Sequence, residues 1–157
     1  MNILNKFFFI IGLATVSTFS YAGTYCDKQI GYCVDFPSNV TVKEATPQGN
    51  GRMFKLAHSN AYIMSSADYN TTSNGILTGV AYLKERQQFY HQYYRVTYEL
   101  LKNNSYTVSG YDNRGIIFYE TIKVKGNRNI SIYFEYPTSD KAKMNNVIKQ
   151  MQGSLRF

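Results

Sequence analysis

The sequence contains no tryptophan, two cysteines and two histidines among its 157 residues. It carries no HExxH metal motif, no GxSxG nucleophile elbow, and no glycine-rich loop of the kind that cradles a phosphate or a dinucleotide. His58 and His91 have no third metal ligand at a suitable spacing, so each is interpreted as a solvated histidine. The sequence therefore predicts no catalytic residue, no metal site and no cofactor, and it indicates a protein that is not an enzyme.

Long apolar runs are also lacking, except for one of ten residues at positions 7–16. A lysine precedes this run, and the small residues Ser20 and Ala22 follow it at the positions that a signal peptidase prefers. A membrane span needs about 20 apolar residues, so a cleaved secretory signal at residues 1–22 is favoured over a membrane anchor. We expect a soluble chain of residues 23–157 that is exported, either to the periplasm or to the medium.

The two cysteines, Cys26 and Cys33, both fall in the predicted mature chain, seven positions apart. In an oxidising compartment such a pair is expected to form a disulfide, and closing so short a loop stabilises a fold by roughly 2–3 kcal/mol. A redox or zinc pair is the alternative, but this spacing fits neither a CxxC centre nor a zinc knuckle. Bulky Tyr25 before Cys26 disfavours lipid attachment. We predict a structural disulfide that holds the N-terminal tail at the start of the first strand.

Alternation of apolar and polar residues predicts strands, and a 3.6-residue period predicts helices. Strands are predicted at residues 32–36, 40–45, 52–57, 61–69, 95–101, 106–111, 116–125 and 130–136. Helices are predicted at residues 78–92 and 140–153, the second of them stopped by Gly153. Turn-forming residues between the last four strands indicate an antiparallel meander. The sequence predicts a single α+β domain at residues 23–157, with one mainly antiparallel sheet of about six to eight strands and one helix on each face.

The helical periodicity also predicts which side chains are buried. In the helix at residues 78–92 we expect Val80 and Tyr90 to face the core and Arg86 to lie on the exposed face. In the second helix we expect Asp140 to serve as the N-cap residue.

Several turn and core segments occur in a recognisable order along the chain. They are VDFPSN at residues 34–39, GNGRMF at 49–54, YTVSG at 106–110 leading through Gly115 to IFYE at 117–120, YP at 136–137 and SLRF at 154–157. This order resembles the PsbP-like α/β domain family, of which the DcrB-like bacterial envelope proteins are relatives. The chain departs from the family pattern in carrying Val40 where a tryptophan is usual. The resemblance implies a PsbP-like fold in an exported bacterial protein, and it implies no shared activity because members of the family do unrelated things.

Positive charge is in excess. The formal net charge is +7, and it becomes +6 without residues 1–22, which contain one lysine and no acid. Lys123, Lys125 and Arg128 lie around one predicted hairpin, with Arg114 on the neighbouring turn. Basic residues among many tyrosines could bind nucleic acid, but an exported protein is more suited to an acidic protein or an anionic envelope surface. Solubility alone is the alternative explanation of the charge.

Tyrosine is abundant, with 15 residues, and four aromatic residues gather at the end of the first helix. Tyr90 and Tyr94 share one helical face, whereas Phe89 and Tyr93 share the adjoining one. Either all four pack on the sheet, or one face is exposed and binds a partner. Tyr90, Tyr93 and Tyr94 are therefore predicted partner contacts, together with the four cations named above.

Three functions compete. The first is a non-catalytic exported protein-binding module, one version of which is an immunity or inhibitor protein against a toxin delivered to the periplasm. The second is a protein that binds a small ligand, in a pocket between the sheet and the helix at residues 78–92, or the envelope surface. The third is a hydrolase, which would require Glu120, Glu135 or His58 to converge in one cleft, with Asp112 as a further nearby carboxylate. The oligomeric state is not predicted.

Overall fold

The computed structural model describes residues 21–72 and 75–157. The predicted signal, apart from its last two residues, lies outside the described residues. The strands are β1 (Tyr21–Asp27), β2 (Tyr32–Pro37), β3 (Val40–Ala45), β4 (Gly51–Leu56), β5 (Tyr62–Tyr69), β6 (Thr71–Thr72), β7 (Gly75–Ile76), β8 (Arg95–Lys102), β9 (Ser105–Tyr111), β10 (Ile117–Lys125) and β11 (Arg128–Tyr136). The helices are α1 (Gly79–Tyr93) and α2 (Lys141–Ser154), the latter preceded by a 3-10 turn at Thr138–Asp140.

The main sheet has seven strands in the order β3-β4-β5-β11-β10-β9-β8, and all neighbours run antiparallel. The predicted meander of the last four strands is confirmed. It returns from the β8 edge to the middle of the sheet, where β11 pairs with β5. Because β5 and β8 lie far apart in the sheet, α1 crosses one face to connect them.

The sheet is covered by one helix on each face, as predicted. Side chains alternate along β10, so Phe118 and Ile122 join the core under α1 while Ile117 joins the core under α2. Helix α1 packs on β8, β9 and β10, whereas α2 packs on β11 and on β2. Because one core lies under each helix, strands in the middle of the sheet are apolar on both sides.

Helix α1 begins where Thr78 accepts a hydrogen bond from the Ala81 N–H at 3.3 Å. A methyl group on Gly79 would lie 2.7 Å from Val124, so the glycine allows the helix to approach β10 closely. This approach turns Val80 outward and leaves it exposed, contrary to the prediction. Tyr90 is buried as predicted.

Helix α2 buries the four apolar residues of its inner stripe, Met144, Val147, Ile148 and Met151. Asp140 occupies the N-cap position, but its side chain makes no capping bond. Its carboxylate accepts the Ser59 hydroxyl at 2.5 Å instead, which joins the start of α2 to the β4–β5 turn. The predicted stop at Gly153 is also wrong by one residue, because the helix continues to Ser154. Among the described residues, no helix is long and apolar enough to cross a membrane.

Strand β1 and the last residues of the chain close over the core under α2. Strand β1, which the sequence did not predict, pairs with β2, and a disulfide joins Cys26 to Cys33 as predicted. The backbone of Cys33 exchanges two hydrogen bonds with Arg156, at 2.8 and 3.0 Å. Arg156 also forms a two-pronged ion pair with the carboxylate of Asp35, at 2.9 and 3.1 Å.

Candidate binding site

The four aromatic residues at the end of α1 divide between two environments. Tyr90 and Tyr94 pack against Phe118 of β10, with ring centroids 5.1 and 4.7 Å away. Phe89 and Tyr93 lie on the outer side, 5.1 Å from each other, with 36% and 60% of their surfaces exposed. The exposed pair therefore rests on a buried aromatic layer that holds it in place.

The turn between β9 and β10 brings Arg114 to the same end of the sheet. The carboxylate of Asp112 accepts the backbone N–H groups of Arg114 and Ile116, at 2.8 and 2.9 Å. The Arg114 guanidinium donates to Asp112 at 2.7 Å and to Glu135 at 2.8 Å. Burial acts to raise the pKa of Asp112, but the bonds from Ile116 and Arg114 outweigh it and lower that pKa. Glu135 in turn accepts the Tyr133 hydroxyl at 3.0 Å, so the turn is tied to β11.

Together these residues line an open groove of about 410 Å³, which we call the aromatic groove. Its lining residues are Phe89, Tyr93, Tyr94, Asp112, Asn113 and Arg114. The groove combines two exposed rings with one guanidinium whose side chain is 65% exposed. Aromatic residues and arginine are the residue types that most often dominate protein interfaces.

A partly buried ion pair lies between the aromatic layer and the sheet, and the sequence did not predict it. The Arg86 guanidinium is 3.6 Å from the carboxylate of Glu120, whose side chain is only 8% exposed. The Tyr90 hydroxyl donates a hydrogen bond to the same carboxylate. Burial, and then the negative charge of Glu120, raise the pKa of Tyr90 well above its usual value. Arg86 also lies over the Phe89 ring at 4.6 Å, so this pair fixes the floor of the aromatic groove.

The fold is similar to that of a known protein structure, although no protein-family model and no curated protein matches the sequence. The solution structure of cyanobacterial PsbP (CyanoP) from Synechocystis sp. matches with a TM-score of 0.55 at 11% identity, over 93% of this chain and 98% of that chain. The fold is PsbP-like.

A second match is a crystal structure from Bacteroides thetaiotaomicron VPI-5482. It has a TM-score of 0.51 at 13% identity and covers 80% of this chain but 44% of that chain. The chain thus spans less than half the length of the Bacteroides protein. Identities this low concern the fold alone, so the relationship to DcrB-like envelope proteins stays a prediction.

The predicted basic group does not form one site in this PsbP-like sheet. Arg114 precedes β10, whereas Lys123, Lys125 and Arg128 surround its far end. Nine residues of strand extend about 30 Å, which separates the two groups. Lys123 donates to the Leu155 carbonyl at 2.6 Å, and burial lowers its pKa.

Arg128 has a similar structural role. It donates to the Ile30 carbonyl at 2.7 Å and lies 5.8 Å from the Phe157 ring. Lys123 therefore holds the last residues of the chain and Arg128 holds the β1–β2 turn, and among the three cations only exposed Lys125 remains available at that end of the sheet. Of the seven predicted contact residues, Tyr93, Tyr94 and Arg114 line the aromatic groove and Tyr90 lies beneath it.

The predicted acids do not form one cleft with His58. Glu120 and Glu135 lie in diagonal positions on the same face of the sheet. There Glu120 pairs with Arg86, and Glu135 shares Arg114 with Asp112. The backbone carbonyl of His58 instead accepts from Lys143 of α2, on the opposite face. Within residues 21–72 and 75–157, no group of three or more histidine, cysteine, aspartate and glutamate side chains could hold a metal ion.

Proposed function

We propose that the chain is an exported, non-catalytic binding protein that holds a partner protein in the aromatic groove. The observation that carries the proposal is the exposed Phe89–Tyr93 pair beside the exposed guanidinium of Arg114. Protein interfaces concentrate their binding energy in a few aromatic and arginine residues, and this groove gathers four of them around one cavity. The Cys26–Cys33 disulfide supports export, since such bonds persist in oxidising compartments.

The aromatic groove is organised before any partner arrives. Tyr94 is packed on Phe118, and Arg114 is held by two carboxylates at 2.7 and 2.8 Å. Binding therefore does not have to order these side chains, and less conformational entropy is lost on association.

The partner group that fits best is an uncharged hydrogen-bond acceptor flanked by apolar side chains, because Asp112 and Glu135 already neutralise the charge of Arg114. Among the described contacts, Arg114 uses Nε and Nη2, so Nη1 is the nitrogen that such an acceptor would meet. The excess positive charge would attract an acidic partner at long range. The narrower form of the proposal is an immunity or inhibitor protein that covers the active site of a toxin in the periplasm.

The proposal is tested by affinity capture from an envelope extract, with identification of the captured protein and measurement of its affinity by calorimetry. The double substitution Tyr93→Ala and Arg114→Ala should weaken binding by about tenfold or more, because it removes two central contacts. Tyr69→Ala is the matched control, since Tyr69 is 50% exposed elsewhere on the surface. Equal affinity of all three proteins for the identified partner would exclude the aromatic groove as its site.

A second candidate function is the binding of a small apolar ligand at the start of α1. A cavity of about 610 Å³ lies there, with Ile76, Leu77 and Val80 on one side and Val124 on the other. Its size falls in the usual range for small-molecule sites. A ligand bound there should raise the unfolding temperature, and Val80→Arg should abolish that increase while Val42→Arg preserves it.

A further inference from the structure

Strand β8 forms one edge of the seven-stranded sheet, and its edge is unusually apolar. It pairs with β9 alone among the described strands. Tyr98, Leu100 and Leu101 are exposed, with 51%, 45% and 37% of their surfaces accessible. An exposed edge with large apolar side chains is a template for adding another strand.

The opposite edge, β3, is protected against such pairing. Val42 is exposed there to a similar extent, 39%. However, the strand is interrupted between Val42 and Ala45, and the charged residues Lys43 and Glu44 occupy the interruption. Bulges and charges are the usual means of blocking an edge. The bulge of β8 lies near its start, between Val96 and Tyr98, and leaves the rest of the strand regular.

The β8–β9 hairpin determines which backbone N–H and C=O groups of β8 do not hydrogen-bond to β9. Lys102 pairs with Ser105 across a two-residue turn, so this closing pair is hydrogen-bonded. Because bonded and non-bonded pairs alternate, Leu100 also bonds to β9. The N–H and C=O groups of Glu99 and Leu101 consequently point away from the sheet.

We propose that β8 pairs antiparallel with β8 of a second copy of the chain, about a two-fold axis at Leu100. The outward groups of Glu99 in each copy then bond to those of Leu101 in the other. The two Leu100 side chains meet at the axis, and Lys102 lies opposite Tyr98, where its ammonium can contact the ring. No two like charges lie directly opposite each other in this register.

The side chains around this axis suit self-association. On the face away from α1, Tyr98 and Leu100 belong to a part of the sheet that neither helix covers. On the α1 face, the two Glu99 carboxylates would lie diagonal to each other, and each is already held by Gln87, His91 and Tyr106 within its own chain. Because the paired segment is short, we expect a weak, concentration-dependent dimer. This proposal does not depend on the aromatic groove.

The first test is analytical ultracentrifugation of the full chain over roughly 1–500 µM, the range in which small interfaces associate. The wild type should pass from monomer to dimer. Leu100→Lys should remain monomeric, whereas Val42→Lys, the same change at the protected edge, should dimerise like the wild type. A wild type that is monomeric throughout, or a dimer that survives Leu100→Lys, would overturn the proposal.

The second test locates the axis. Residues opposite each other in a non-bonded antiparallel pair have Cα atoms about 4.5 Å apart, a distance that a disulfide can bridge. Leu100→Cys should therefore form a covalent dimer on mild oxidation, and Val42→Cys should not. Both variants keep a free thiol even if the dimer is weak, so equal cross-linking of the two would contradict the axis at Leu100. Near-wild-type circular dichroism would show that each variant is folded.

Discussion

At one end of β10, Arg114 extends into solvent beside two exposed aromatic rings. At the other end, Lys123 bonds to the Leu155 carbonyl near the end of the chain, and Arg128 bonds to the Ile30 carbonyl in the β1–β2 turn. All three are cations near the turns at the two ends of β10. Arg114 is exposed and the other two are not, because different segments pack at the two ends of β10. The disulfide hairpin and the last residues of the chain pack beside Lys123 and Arg128.

The comparison shows that a basic cluster in a sequence is not equivalent to a basic surface. A cation bonded to a buried carbonyl contributes to stability and is withdrawn from any partner, whereas Arg114 keeps an exposed guanidinium that a partner can reach. We call the end of β10 near Lys123, Lys125 and Arg128 the closing end, because the disulfide hairpin and the last residues of the chain close over it. Substitutions at the closing end should therefore act on unfolding, and substitutions at the aromatic groove should act on binding.

The largest expected effect at the closing end is loss of the disulfide. Replacing Cys26 and Cys33 together by serine should lower the free energy of unfolding by about 2–3 kcal/mol, because the unfolded chain regains the freedom that the closed loop denies it. Urea denaturation measures this change. Reducing the wild type should reproduce it, and adding reductant to the double variant should change nothing. A double variant as stable as the wild type would show that the hairpin is held by its other contacts alone.

The next effect contrasts the two arginines. Arg128→Ala should lower the free energy of unfolding by about 1–2 kcal/mol, because the Ile30 carbonyl loses a charged donor and the Phe157 ring loses its cation. Arg114→Ala should leave the unfolding midpoint close to that of the wild type, since the Arg114 side chain is 65% exposed and solvent weakens its ion pairs. Thermal unfolding of both variants gives the comparison directly. Equal destabilisation by the two substitutions would remove the distinction between the ends.

Local patterns in the sequence were sufficient for most of the fold. The period of two along β10 and β11 and the period of 3.6 in α1 depend on neighbouring residues only, and those elements appear close to where they were predicted. The pairing of β5 with β11 is different. It joins strands about 60 residues apart in the sequence, and no turn connects them directly, so no local pattern indicates the pairing.

The candidate site was predictable only in part, for the same reason. The aromatic residues of α1 stood out because they exceed what one helical face can bury. Arg86 was assigned to the exposed face, yet it lies between Leu83 and Tyr90 on the buried stripe and pairs with Glu120. Its spacing from Tyr90 could have revealed this position. The roles of Lys123 and Arg128 could not be inferred, since they depend on where the last residues of the chain and the β1–β2 turn lie.

A smaller effect at the closing end should depend on pH. The pKa of Asp35 is lowered first by hydrogen bonds from Arg156 and further by one from Thr24, while burial acts in the opposite direction. A carboxyl group whose folded pKa lies below its unfolded value adds stability above the unfolded pKa and loses it as pH falls through the folded one. Asp35→Asn should therefore cost below about 1 kcal/mol near pH 7, the range for a solvent-screened pair, and progressively less in acid.

Urea unfolding of the wild type and the Asp35→Asn variant at several pH values from about 7 to about 2.5 measures this difference, across the region in which an aspartate titrates. Arg156→Ala should show the same convergence toward the wild type in acid, because it removes the other half of the pair. A stability difference that stays constant over the whole range would mean that the carboxylate charge does not contribute.

The smallest expected effect is that of Lys125→Gln. It tests whether an exposed cation at the closing end contributes to stability or to binding. Lys125 lies at the closing end but is exposed, unlike its neighbours Lys123 and Arg128. Its substitution should change the free energy of unfolding by less than about 0.5 kcal/mol, as for most surface positions. It should also leave binding at the aromatic groove unchanged, since β10 separates the two places by about 30 Å. A loss of partner affinity in Lys125→Gln comparable with that in Arg114→Ala would mean that the partner spans the whole sheet, and that the two ends differ in stability but not in recognition.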